Sequence, residues 1–222
     1  MGTLKKTRRV LVVDEHPIVR EGLRGLLGQA LEFTVCGEAS GVEDGLGQYL
    51  ALRPDAVIAD ISLGADSGLK LITRIRQESS EVAILALSML DEMTYAERAL
   101  RHGADGYVMK SEATERLIEA LQRVLEGKRF VSPSVADRLL RTLARSGDGV
   151  RYSVDRLTDR ELEIFRLVGL GVRSVDIARK LGISPKTIET HRGRIKAKLG
   201  VETASELVIQ AASWVRDGRL KV

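Results

Sequence analysis

Cysteine is nearly absent: Cys36 stands alone in 222 residues. No intrachain disulfide can form, which fits a reducing compartment and a cytoplasmic protein. Apolar runs are short, and none approaches the ~20 residues that cross a bilayer as a helix. No membrane partner is expected. The start, Met1 to Arg9, is polar and basic, and the apolar run after it is broken by Asp14, so it does not read as a secretion signal. Lys6 stands where a myristoylation signal beginning at Gly2 needs Ser or Thr. His16 and His102 have no cysteine or second histidine nearby at metal-ligand spacing, so neither reads as a ligand.

What is present is an ordinary globular composition, 44% hydrophobic and 30% charged. Its charge is unevenly spread. Residues 1–127 carry 15 Lys and Arg against 20 Asp and Glu, residues 128–150 carry 5 against 2, and residues 151–222 carry 15 against 9. An acidic first half and a basic last third predict two domains with different partners.

The most informative stretch is Asp55-Ala56-Val57-Ile58-Ala59-Asp60. It reads as a short buried strand that delivers a carboxylate to its C-terminal end. Val10-Leu11-Val12-Val13 does the same, ending on Asp14 and Glu15. Two carboxylates ~4 Å apart repel by about 4 kcal/mol at an effective dielectric of ~20. Such a pair needs either a proton or a hard cation between its members.

Further strands are predicted at Phe33–Cys36, Val82–Leu87 and Gly106–Met109, the last two ending at Ser88 and Lys110. Amphipathic helices follow each strand. Five strand–helix units imply an α/β fold, a parallel sheet with helices on both faces and right-handed crossovers. Ligands of such sheets sit outside the C-terminal strand ends, where Asp14, Glu15, Asp60, Ser88 and Lys110 converge. Residues 128–155 change character. A short helix is expected from Ser134 to Arg145, then a flexible Ser146-Gly147-Asp148-Gly149, and the segment reads as a linker.

The last part reads as short helices. Thr158 with Glu161, and Thr203 with Glu206, form capping boxes. Ser184 and Pro185 open a helix whose inward positions are Ile188, Ile195 and Leu199 and whose polar face holds Lys186, Thr187, Thr190, Arg192, Arg194, Lys196 and Lys198. Helix, Gly-containing turn and basic helix make a helix-turn-helix pattern. Trp214 is expected to pack under the last helix.

The ordered set Asp14-Glu15, Asp60, Ser88 and Lys110, with Gly103-Ala104-Asp105-Gly106-Tyr107-Val108-Met109-Lys110 entire, resembles the receiver domain of bacterial response regulators. Leu157-Thr158-Asp159-Arg160-Glu161, Leu181-Gly182-Ile183-Ser184, Thr187-Ile188-Glu189-Thr190-His191 and Lys198-Leu199-Gly200-Val201 resemble the LuxR-type DNA-binding domain. The whole chain resembles a NarL/FixJ-family two-component response regulator. The resemblance implies a flavodoxin-like receiver over 8–127 with strand order 2-1-3-4-5, a linker over 128–155, and an all-α helix-turn-helix domain over 156–222.

It further implies phosphorylation of Asp60 by a histidine kinase. Mg²⁺ would be held by Asp14, Glu15, Asp60 and the Ser62 carbonyl, while Lys110 and Ser88 would contact the phosphoryl group. Tyr107 would turn inward as a switch. Double-stranded DNA would be met by Lys186, Thr187, Thr190, His191, Arg192, Arg194 and Lys198. A phosphorylation-dependent homodimer and RNA polymerase complete the expected partners, and no enzymatic activity is expected. Departures from the receiver pattern are Glu15, Gly64, Ser67 and Ser111, and bulky Met89 and Leu90 are expected to shield the pocket from water. The rival readings are a regulator that binds DNA without phosphorylation and a Mg²⁺-dependent phosphohydrolase using Asp60.

Overall fold

Strand and helix alternate through the first half and give way to helices alone in the second. The structure, a computed structural model, describes residues 7–63, 66–144 and 153–219. The chain divides into two compact units, Met1–Ala144 and Arg145–Val222.

In the first unit, β1 (Arg8–Val13), β2 (Phe33–Ala39), β3 (Ala56–Asp60), β4 (Ala83–Ser88) and β5 (Gly106–Met109) form one parallel sheet ordered β2-β1-β3-β4-β5. This is the expected flavodoxin-like order. The helices between and after them are α1 (Pro17–Gln29), α2 (Val42–Leu52), α3 (Gly68–Glu78), α4 (Glu92–Arg101) and α5 (Ala113–Leu125). Val10, Val12, Ile58, Leu85 and Leu87 pack with Leu23 and Leu27 of α1 and Leu117, Leu121 and Val124 of α5. The residues of opposite parity, Leu11, Val13, Val57 and Ile84, are equally buried. Both faces are therefore covered, which is why these strands read as continuous apolar runs rather than alternating ones.

Between β3 and α3 the chain makes a two-residue antiparallel pair, Ser62–Leu63 with Asp66–Ser67. It then returns so closely that the Gly68 amide donates to the Ile61 carbonyl at 2.8 Å. A Cβ on Gly68 would lie 1.8 Å from the Asp60 carbonyl oxygen, so only glycine fits. Gly64 lies outside the described residues. Arg76, near the end of α3, donates to the carbonyls of Gly103 (2.7 Å), Ser80 (2.8 Å) and Val82 (3.0 Å) and to Asp105 Oδ2 (2.8 Å). One guanidinium thus ties the helix end to the turns before β4 and β5.

The segment after α5 does not leave the unit. Phe130 bridges the outer edge of β5: its amide donates to the Asp105 carbonyl at 3.1 Å, and its carbonyl accepts from Tyr107 at 2.8 Å. The guanidinium groups of Arg116 and Arg123 lie 5.1 Å and 5.9 Å from its ring centre. The helix expected from Ser134 to Arg145 runs from Pro133 to Ala144 (α6) and docks on α4. Ser132 Oγ donates to Glu92 at 2.7 Å and accepts from the Val135 amide at 3.2 Å, and Arg138 donates to the Met93 carbonyl at 2.6 Å. A helix that reads as linker from its flanks is held by polar contacts that its own periodicity does not reveal. Ser146 to Gly149 lie outside the described residues.

The second unit consists of a 3₁₀ turn (Ser153–Arg156), α7 (Asp159–Gly169), α8 (Ser174–Lys180), α9 (Pro185–Leu199) and α10 (Ala204–Arg219). Leu162, Phe165, Ile177, Ile188, Ile195, Leu207 and Ala211 make its core. The Phe165 and Trp214 rings pack 5.7 Å apart at 53°. Both expected capping boxes form, with Thr158 and Glu161 opening α7, and Thr203 and Glu206 opening α10. Gly182, at φ 63°, makes the turn between α8 and α9. No helix among the described residues is long and apolar enough to cross a membrane.

Gly68→Ala is expected to destabilise the first unit by about 3 kcal/mol, the upper end of overpacking costs. The check is urea unfolding followed by circular dichroism, with unfolding of the second unit unchanged.

Candidate functional sites

Parallel pairing brings the C-terminal ends of β1, β3, β4 and β5 to one edge of the sheet, and with them Asp14, Asp60, Ser88 and Lys110. Asp14 and Asp60 are 1% and 2% exposed. The Lys110 ammonium, on a side chain only 8% exposed, lies 2.6 Å from Asp14 Oδ2 and 2.8 Å from Asp60 Oδ2. Two buried carboxylates thus share one cation. Asp60 Oδ1 accepts from the Ser62 amide at 3.0 Å. Burial pushes the Asp60 carboxyl above the ordinary carboxylate value, and Lys110 and the Ser62 amide offset only part of that. Burial alone would lower the Lys110 ammonium, but its hydrogen bonds and attraction to Asp14 and Asp60 outweigh it and hold it above the usual lysine value.

Asp14 Oδ1 accepts from the His16 amide at 2.9 Å, and the His16 Nδ1 atom lies 3.3 Å away. Among the described residues, Asp14, His16 and Asp60 form a group whose potential ligand atoms all lie within 4.8 Å of one another. Glu15, partly exposed, is not in that group. The histidine escapes a sequence search for cysteine or histidine partners because its neighbours are carboxylates. Its position directly after Asp14-Glu15 is the signal that would have found it.

Ser88 is fully buried, and its Oγ accepts from the Leu90 amide at 3.1 Å. Tyr107, expected to turn inward on phosphorylation, is already buried, with its hydroxyl donating to the Leu90 carbonyl at 2.6 Å. Burial pushes that hydroxyl well above the usual tyrosine value. Of the two bulky residues after Ser88, Leu90 is buried and Met89 is 68% exposed.

In the second unit, Ser184 Oγ caps α9 by accepting from the Thr187 amide at 3.1 Å. With Ile188 and Ile195 turned to the core, Lys186, Thr187, Thr190 and Arg194 are exposed. The other three residues expected to meet DNA, His191, Arg192 and Lys198, are turned towards the protein. Arg192 donates to Ser174 Oγ at 2.8 Å and pairs with Glu189 at 3.4 Å. His191 Nδ1 is buried without a hydrogen bond, and burial, then Arg194 and Arg160, hold its imidazole below the usual histidine value. Lys198 Nζ lies 2.6 Å from Glu161 Oε2, on the same carboxylate that closes the α7 capping box.

The geometry has recognisable relatives. Residues 10–122 match the response regulator receiver domain, and residues 155–211 match the bacterial regulatory proteins of the luxR family. The chain belongs to the NarL/FixJ family of two-component response regulators. The transcriptional regulatory protein MctR of Rhizobium johnstonii is 34% identical over 90% of this chain and 91% of its own length. The nitrate/nitrite response regulator NarL of Escherichia coli is 30% identical over 95% and 96%. Among solved structures, RcsB from Salmonella enterica serovar Typhimurium, bound to promoter rprA with the phosphomimetic BeF3⁻, aligns with a TM-score of 0.65. It is 28% identical over 93% of this chain and 99% of that one. This response regulator therefore combines a receiver domain with a LuxR-type DNA-binding domain.

One buried carboxyl links the second unit of the regulator to pH. Burial raises the Glu161 carboxyl, but Lys198 and the Thr158 amide and hydroxyl outweigh it and hold the group below its ordinary 4.5. A carboxyl that titrates lower when folded stabilises fully above the unfolded value and loses that contribution as pH falls through the folded one. Glu161→Gln is expected to lower the stability of the second unit at neutral pH and to flatten its decline below the ordinary carboxylate value. Urea unfolding across that range checks it.

Proposed function

We propose that Asp60 is the phosphoacceptor of this response regulator, and that its phosphorylation by a histidine kinase controls transcription through the LuxR-type domain. The observation that carries the reading is the pair of buried carboxylates at adjacent strand ends held by one buried ammonium. An Asp60 carboxylate oxygen forms the new bond to phosphorus as the bond from phosphorus to the donor nitrogen breaks. Phosphoryl transfer asks the protein mainly for position and charge neutralisation. Lys110 leaves the carboxylates to pair with the phosphoryl oxygens. Ser88, which accepts from Leu90, turns its hydroxyl to donate to them.

The donor set suits Mg²⁺, because the carboxylates of Asp14, Glu15 and Asp60 and the Ser62 carbonyl are hard oxygen ligands. Asp14 and Asp60, both buried with a single ammonium between them, leave the pocket short of positive charge and support a cation there. Bound Mg²⁺ would neutralise charge on the phosphoryl oxygens. The chain modifies itself and turns over no small substrate.

Lys186, Thr187, Thr190 and Arg194 form the face of α9 presented to the major groove, the threonines and Lys186 toward base edges and Arg194 toward phosphate. Arg192 and His191 reach phosphate only by giving up their place in the protein, and Lys198 holds α9 against α7. The RcsB relatives include dimers bound to DNA, which supports a dimer for this chain on a double-stranded site. A cytoplasmic location, with RNA polymerase as a downstream contact, follows from that role. One observation favours DNA binding before phosphorylation: Tyr107 is already inward.

Incubation with a small acyl-phosphate donor and Mg²⁺ is expected to add one phosphate to the wild type and none to Asp60→Ala, read by intact mass. An adduct in both, or in neither, overturns the assignment. Arg194→Ala is expected to weaken DNA binding uniformly across sequences and to reduce the slope of log K against log salt by about 1. Titrating DNA with unmodified and phosphorylated protein separates the switched reading from the constitutive one.

A further inference from the structure

The outward face of α9 carries one residue that a phosphate backbone repels. Glu189 is the only acid between Pro185 and Leu199, and its side chain is 60% exposed. Lys186 lies three residues before it and Gly193 four after, so both are its neighbours on the helix surface, and both are exposed. A helix that only neutralised phosphates would gain nothing from a carboxylate here. The carboxylate is also held in place. Ser174 Oγ, in the first turn of α8, donates to Glu189 Oε1 at 2.9 Å. Arg192 Nη1 lies 3.4 Å from the same oxygen and donates to Ser174 Oγ at 2.8 Å. These bonds all end on Oε1, and Oε2 makes none with the described residues. The surface beside it is open. A Cβ on Gly193 would meet nothing within 4 Å, so the chain's own packing does not require this glycine, which weakens a helix interior. An anchored carboxylate with one unengaged oxygen thus stands beside a gap in the side-chain layer of α9.

We propose that Glu189 is a base-reading residue that selects cytosine, its Oε2 accepting from the exocyclic N4 amino group in the major groove. Guanine N7 and O6 and thymine O4 are acceptors there and repel a carboxylate. Adenine sets its N6 donor beside the N7 acceptor, whereas cytosine offers N4 without that neighbour. A charge that weakens binding to every other base contributes specificity by rejection as well as by attraction. Ser174 and Arg192 fix the side chain before DNA arrives, so little of its freedom is lost on binding. The inference rests on the reading of α9 as the helix presented to the major groove.

The test uses the full chain, unmodified and phosphorylated, to select from a library of randomised duplexes at one fixed salt concentration. Wild type, Glu189→Gln, Glu189→Ala and Ser174→Ala are compared, and thermal unfolding checks that each variant folds. The wild-type motif is expected to contain a cytosine whose replacement weakens binding at least about tenfold. Glu189→Ala is expected to lose that preference. Glu189→Gln is expected to move it to adenine, whose N6 and N7 a glutamine amide meets together. Ser174→Ala is expected to weaken binding and keep the cytosine. A motif unchanged in both Glu189 variants overturns the proposal and leaves the major-groove reading of α9 standing. A Ser174→Ala motif that loses the cytosine as Glu189→Ala does assigns the effect to the brace between α8 and α9 and also overturns it. So does a wild type that binds duplex DNA but enriches no sequence. A wild type that binds no duplex removes the major-groove reading and the proposal together.

Discussion

Asp14 and Asp60 are buried side by side, and an ammonium between them makes that arrangement tolerable. Unpaired, two carboxylates out of water would drive one another toward protonation and oppose the packing of the strands that carry them. Lys110 supplies the compensating charge from the far end of β5, 50 residues from Asp60. The rest of the first unit follows from keeping these ends together. The sheet order places β3 between β1 and β4, with β5 beyond, so the acids are neighbours and the lysine must reach across. Two buried carboxylates against one ammonium leave the pocket net negative, an arrangement that attracts further positive charge.

The surroundings hold the pocket from several sides. Gly68 lets the chain fold back against the Asp60 carbonyl, and Arg76 fixes the opposite end of α3 to the turns feeding β4 and β5. Tyr107 and Leu90 connect β5 to the loop before α4, and α6 rests on α4 through Glu92 and Met93. A change at Ser88 or Lys110 therefore meets a contiguous packed path to α4 and α6, all within one unit. Packed elements of this kind shift between discrete arrangements rather than deforming smoothly.

The second unit solves a different problem, a basic helix that must stay folded while presenting charge. It divides its cations by role. Arg192 is spent on Ser174 and Lys198 on Glu161, which anchor α9 to α8 and α7, while Lys186 and Arg194 face outward beside the two threonines. Charge complementary to a phosphate backbone thus sits on a helix whose other side is held by its own ion pairs.

Much of this was readable from residue order. Apolar runs ending in Asp14, Asp60, Ser88 and Lys110 specify the strands and the polar ends that meet at one edge, because burial of both sheet faces leaves little room for polar residues until the strand stops. Capping boxes at Thr158 and Thr203 mark helix starts because their hydrogen bonds span only three residues. Tertiary structure alone decided the rest. The grouping of His16 with the acid pair, the inward Tyr107, the docking of α6 on α4, and the capture of Lys198 by Glu161 each depend on partners set by how elements cross. Local periodicity says which face of an element is buried; it does not say which side chain from another element meets a buried charge there.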